Sequence, residues 1–203
     1  MRGRLHEIAF FATIPAGVVL VFIAPGPIAR IGAVVYWLAL LSQFGVSATY
    51  HVGRWGEKAH DRMRRLDHAT IFVLIAGTYT PPCLLASHGT ASIILLAVVW
   101  IGAAAGIITK LYRVDLHVLS GFLYLGLGWA AVFALPSLAL TLSLPQLALV
   151  ITGGVLYTVG ALVFVTKWPN PFPRTFGFHE IWHAATIAAA ACLFAAITLL
   201  FLT

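Results

Sequence analysis

Long uninterrupted apolar runs, rather than an alternation of apolar and polar positions, dominate this chain. They fall at residues 8–24, 31–51, 68–86, 90–109, 115–135, 146–166 and 178–202. Each is close to the ~20 residues that an α-helix needs to cross the hydrocarbon of a bilayer. The pattern therefore predicts an all-α polytopic integral membrane protein, a seven-transmembrane-helix bundle forming one membrane domain. Proline and glycine gather where the runs part: APGPIAR after the first, ASHGT after the third, LPSLALTLSLP (135–145) after the fifth, KWPNPFPRTFG after the sixth. Pro81 and Pro82 are different, because GTYTPPC places them inside the third run. They predict a kink or an early helix end, tolerated where neighbouring helices shield the freed carbonyls.

Composition agrees with lipid as the solvent. Of 203 residues, 61% are hydrophobic and 9% charged, against about 25% charged in an average soluble chain. Little remains for a separate soluble domain. A net charge of +6 would suggest nucleic acid in a soluble protein; here topology accounts for it, and no nucleic-acid partner is expected. With the N-terminus in the cytoplasm, the inner side takes Arg2, Arg4, Arg54, Lys58, Arg62, Arg64, Arg65, Lys110, Arg113, Lys167 and Arg174. Only Arg30 falls outside. Such a bias follows the positive-inside rule and places the C-terminus outside. The five basic residues between 54 and 65 read as topology determinants rather than a site for anionic headgroups. The start of the chain also resembles a secretory signal peptide, but its apolar part is long and lacks a small-x-small cleavage site, so segment one is expected to stay. Cys83 and Cys192 lie in apolar runs without motif spacing and read as packing residues.

This topology brings polar residues to one depth. SATYH, ending in His51, closes segment two at the cytoplasmic side; Asp67 and His68 open segment three there; His179 and His183 occupy the first two turns of segment seven. His179 and His183 are spaced i, i+4 and share a helix face, as do Ser47 and His51. Two imidazoles from one helix and a third from another make three neutral nitrogen ligands. That is a catalytic type of zinc site, with the fourth tetrahedral position left for water. Asp67 would hydrogen-bond that water or a histidine N–H, and Ser47 would hold water or substrate. Polar groups turned toward lipid are costly, so a cluster facing the bundle interior points to function. Taken singly, the same residues have plainer readings: a histidine as an interfacial anchor, Asp67 as a partner of Arg64 or Arg65, Ser47 as helix packing. His6, His60 and His88 read as solvated tail or loop residues. His117 lacks a partner at helical spacing, and His68, about 100° round the helix from Asp67, should point elsewhere.

The stretch His179-Glu180-Ile181-Trp182-His183 also spells H-E-x-x-H, in which Glu180 would be the general base of a metalloprotease. Intramembrane metalloproteases usually take a third ligand from an aspartate in a glycine-containing motif, and RRLDHA is not one.

SATYH, LDHATIFVLIAGTYTP, LYLGLGWAAVF and WPNPFPRTFGFHEIWHAA resemble the signature blocks of the hemolysin III proteins, bacterial members of the superfamily of the progestin and adiponectin receptors (PAQR). The resemblance runs from the second segment to the seventh. It implies a seven-helix bundle with a cytoplasmic N-terminus in the cell membrane, the inner membrane in a bacterium. It also implies one zinc ion near the inner leaflet, held by His51, His179 and His183, with Asp67 beside the zinc-bound water and Ser47 nearby. Glu180 is then incidental or structural. The chain lacks the long N-terminal soluble region of the receptor branch, so only the membrane core carries over. Receptor-branch relatives have been linked to ceramide hydrolysis, so the expected activity is a zinc-dependent hydrolase acting on a lipid amide or ester, with membrane lipids as partners. Two other readings stay open: a structural zinc in a membrane sensor or homeostasis protein, and a membrane-perturbing hemolysin.

Overall fold

The computed structural model describes residues 3–85, 89–113, 117–134 and 141–202. Arg2, His88 and most of the 135–145 turn lie outside them, as does the side chain of His117. Among the described residues the fold is all-helical. α1 spans Arg4–Ile23, α2 Gly26–Val52, α3 Glu57–Leu85, α4 Thr90–Tyr112, α5 His117–Trp129, α6 Leu144–Thr166 and α7 Phe178–Leu202. Six of these are long and apolar enough to cross a membrane; α5 is the exception, with a shorter apolar stretch at Leu119–Val132. The chain is thus a multi-pass membrane protein. Large apolar side chains such as Phe22, Ile93, Ile101 and Val165 are exposed on the outside of the bundle, where lipid replaces water.

Helices and apolar runs differ in extent, for physical reasons. α3 begins at Glu57, ahead of the apolar run expected at 68, so Asp67 lies well inside the helix rather than opening it. Its polar first turns are held by i, i+3 and i, i+4 ion pairs, Arg64 to Asp61 at 2.9 Å and Arg65 to Asp61 at 2.7 Å. Hydropathy finds the part of a helix that meets lipid, not where the helix starts. α3 also continues through Pro81 and Pro82 to Leu85, with Pro81 covered by α2 at Gly32, where an added Cβ would stand 3.2 Å from the Pro81 Cα. Lys110, expected in a loop, is buried in the last turn of α4.

α5 gives way to a tighter turn where a side chain interrupts it. The Tyr79 hydroxyl on α3 accepts the Ala131 N–H at 2.7 Å and donates toward the carbonyls of Leu127 (2.9 Å) and Gly128 (2.8 Å). It stands where the Ala131-to-Leu127 rung of an α-helix would close, and the chain tightens into a 3₁₀ turn at Ala130–Ala134.

Each of α1 to α4 packs on the next, α6 on α7, and α1 returns against α7. One core joins Ala9 and Leu20 of α1, Ala33, Tyr36 and Phe44 of α2, Leu74 of α3 and Ala190, Ile197 and Phe201 of α7. A second joins Phe72, Ala76 and Tyr79 of α3 to Val99 and Ala103 of α4. Small residues set the close approaches, as in membrane helix packing generally. Gly17 lies against the Trp37 indole, whose Nε1 donates to the Thr13 carbonyl at 3.0 Å, and a Cβ added at Gly45 would stand 3.0 Å from the Phe10 ring.

Tyr79→Phe removes the acceptor of the Ala131 N–H and the single donor shared by two carbonyls in a partly buried place. A loss of about 1–3 kcal/mol is expected, read as a lowered melting temperature in detergent. Tyr112→Phe, on a side chain 77% exposed, should leave it unchanged.

Candidate metal centre

The last turns of α2, the body of α3 and the first turns of α7 meet at one end of the bundle, and the N-terminus of α1 joins them there. His51, His179 and His183 converge so that one ring nitrogen from each lies within 4.8 Å of the others. The Nε2 atoms of His51 and His179 are 3.4 Å apart. The His51 ring is edge-on to His179 and His183, with centroids at 4.9 and 5.0 Å. His183 is buried, and the side chain of His51 is 11% exposed.

Asp67 enters from α3, its Oδ2 4.0 Å from the His51 Nε2. It is not the partner of Arg64 or Arg65, since both are bound to Asp61. Ser47, one turn before His51 and 1% exposed, lies beside the Asp67 carboxylate. Its place is on the aspartate, not among the imidazoles. The other carboxylate oxygen, Oδ1, is buried and has no hydrogen-bond partner among the described residues. A buried acceptor left without a donor is costly, so a bound donor is called for here.

The residues fit a small divalent ion. Two nitrogens bound tetrahedrally at about 2.0–2.1 Å stand roughly 3.3–3.4 Å apart; the His51–His179 pair has that separation, and the third nitrogen lies within 4.8 Å of both. The donor set is three imidazoles within a low-dielectric bundle, and the carboxylate lies beyond them with an oxygen to spare for a water or an N–H.

Glu180 is engaged elsewhere. It occupies the third helical position of α7, and its Oε2 accepts the N–H of Gly177 at 2.8 Å, the returning half of a capping box. Asn170 supports the same helix start, its Oδ1 accepting the Phe178 N–H at 3.2 Å. Gly177 carries no Cβ where one would strike Asn170 Oδ1. The WPNPFPRTFG stretch thus serves as a helix cap: Phe172 and Phe176 pair across a tight turn, with Phe176 N–H to Phe172 carbonyl at 2.8 Å, and α7 starts at the depth that presents His179 and His183.

Among the remaining histidines, His60 is exposed, beside Tyr50. His68 lies outside the convergent group, its carbonyl accepting the Tyr124 hydroxyl at 2.8 Å. His6 is a correction. Expected in a solvated tail, it is 2% exposed and stacked on His183, centroids 4.0 Å apart and planes 6° from parallel. The signal lay in its spacing: His6, Ala9, Thr13, Gly17 and Leu20 form the buried stripe of α1, with the i, i+3, i+4 period of one helix face.

Fold and site together define a polytopic helical membrane protein with a partly buried three-histidine cluster at one end of its bundle. The chain belongs to the haemolysin III family: the family model described as Haemolysin-III related matches residues 1–194. It is 33% identical over 193 residues to a Hemolysin-3 homolog of Bacillus subtilis (strain 168), covering 93% of this chain and 87% of that protein. It is 32% identical over 194 residues to a Hemolysin-3 of Bacillus cereus, covering 93% and 85%. No solved structure matches the chain.

Glu180→Ala should lower stability by about 1 kcal/mol through the lost cap. Glu180→Gln, which keeps an acceptor for the Gly177 N–H, should restore most of it. Thermal melts of the two variants beside wild type check this; equal losses would remove the capping role.

Proposed function

We propose that this chain is a seven-helix, N-in membrane protein that binds one zinc ion through His51, His179 and His183 near the inner leaflet. We further propose that it hydrolyses an amide or ester bond of a membrane lipid. The observation that carries the reading is the convergence of three imidazole nitrogens within 4.8 Å beside a buried carboxylate with a free acceptor. The basic residues at the site end of the helices support a cytoplasmic placement; α5, with the residues that follow it, would complete the seventh crossing. The resemblance to the receptor superfamily supports the same choice of metal and substrate class.

Zinc bound there would supply Lewis acidity, polarising a carbonyl and bringing the pKa of a water to about 7. The chain's own groups do the rest. His51 and His183 hold their rings edge-on, 5.0 Å between centroids, in a partly buried site that limits bulk water. Asp67 offers Oδ1 to a water hydrogen and can take its proton, while the Ser47 hydroxyl holds the carboxylate in orientation. Glu180, occupied by the helix cap, takes no part, which separates this reading from that of an H-E-x-x-H protease. A lipid substrate suits a site set among apolar helices.

The second reading is a structural metal in a sensor or homeostasis protein. It is favoured by the fact that the cluster joins α2 to α7, helices far apart in the chain. The Tyr36 hydroxyl of α2 also donates to the Ala190 carbonyl of α7 at 3.4 Å. The relatives named hemolysins raise lysis as a third role. Apolar helices with so few charges are poorly suited to lining a wide aqueous pore, and leakage from intact vesicles distinguishes it from hydrolysis.

Metal content by mass spectrometry of purified wild type and His51→Ala is the first test. About one zinc per chain, falling sharply in the variant, is expected; zinc retained without His51 would overturn the site. In hydrolysis of a panel of labelled ceramides, lysolipids and acyl esters, Asp67→Ala should lower the rate by about 10²-fold or more while retaining metal. A rate unaffected by Asp67→Ala or His183→Ala would remove the hydrolase and leave the structural metal.

A further inference from the structure

α1 contributes no member of the convergent set, yet it bears on two of the residues that do. Gly3, at the N-terminus of α1 with φ of 84°, lies so close to the end of α2 that an added Cβ would stand 2.8 Å from the His51 Cβ. One turn on, the His6 ring lies flat against His183, 4.0 Å between centroids and 6° between planes. On α2, Phe44 leans on the same ring at 5.2 Å, tilted by 54°. His6 therefore fills the space between α2 and α7, the two helices that carry the imidazoles. It is 2% exposed, so the arrangement is a packed one rather than a surface contact.

The second torsion of a histidine is broad and not confined to three staggered wells. A ring that must direct one nitrogen at an ion needs something to fix its plane. His51 and His179 meet His183 edge-on or tilted, with centroids at 5.0 and 4.7 Å; the face of the His183 ring is covered by His6. We propose that His6 is a positioning residue. Its flat ring sets the plane of His183, and through it α1 governs how tightly, and in what geometry, the three-histidine site holds a divalent ion. The proposal rests on the reading that these histidines bind a metal.

The test uses the full chain in detergent as wild type, His6→Ala and His6→Phe, the last keeping a flat ring without the imidazole nitrogens. Zinc affinity is measured by chelator competition, and site geometry by the visible spectrum of the cobalt-loaded protein. His6→Ala should weaken zinc binding by about 10–100-fold, the usual effect of removing a group that orients a ligand, and should change the cobalt bands. His6→Phe should restore both. Should the alanine variant fail to fold, His6→Leu, which fills the space without a flat face, takes its place with the same expectation. Wild-type affinity and spectrum in His6→Ala or His6→Leu would overturn the proposal, as would a phenylalanine variant as impaired as alanine. Wild-type protein that binds no metal would bring down the reading of the site itself; metal-loaded wild type with an indifferent His6 would bring down this inference alone.

Discussion

Close approach of helix backbones is the constraint on which the rest of this molecule depends. In lipid, apolar side chains gain little by leaving one hydrocarbon surface for another, so helices associate through shape and through hydrogen bonds across the interface. Here that shape is made by missing side chains. Gly17 makes room for Trp37, Gly45 for Phe10 and Gly106 for Phe72, and Gly77 lies against Ala39. Each contact fixes how far one helix slides along another, because a ring that fits over a glycine cannot fit one turn away. The depth at which His51, Asp67 and His183 meet is inherited from that register. A helix displaced by one turn would move its polar residue about 5.4 Å, more than the whole spread of the imidazole nitrogens.

Hydrogen bonding divides the labour among the polar residues. Several of those that look chemical in the sequence are spent on backbone. Tyr79 fills a broken rung in α5, Glu180 and Asn170 cap α7, and Asp61 binds the two arginines that follow it. Asp67 differs from Glu180 in this respect. Both are buried carboxylates, but Glu180 is paired with the Gly177 N–H, whereas one oxygen of Asp67 is left for something not supplied by the described residues. Burial is alike, so the difference lies in what each oxygen faces.

Much of this was legible in the chain. Periodicity and length made six of the seven apolar runs recognisable as membrane helices, because a bilayer demands the same length of every crossing and leaves no other way to satisfy the backbone. The i, i+4 spacing of His179 and His183, and of Ser47 and His51, placed each pair on one face, since helix geometry alone decides that. Alternation of the segments then put both faces, and Asp67, at the same end. The family was recognisable from its polar blocks for a related reason: charges and imidazoles are rare enough in apolar helices that their order and spacing carry information.

What the sequence left open depended on contacts between helices. α5 is interrupted at its end by a tyrosine from α3, an event no local propensity encodes. The role of Glu180 could not be separated from that of a catalytic base until the turn before α7 was seen to deliver the Gly177 N–H to it. His6 read as part of a solvated tail because hydropathy averages over a window and a histidine near a terminus lowers the average. Its burial depends on α1 lying against both α2 and α7, a relation between segments nearly 180 residues apart in a chain of 203. The sequence by itself determined which residues share a helix face and which solvent that helix meets, because both follow from the geometry of a single helix. Only the tertiary structure decided which faces touch, and so which polar groups pair with backbone and which are left to meet a ligand, because those pairings arise between helices.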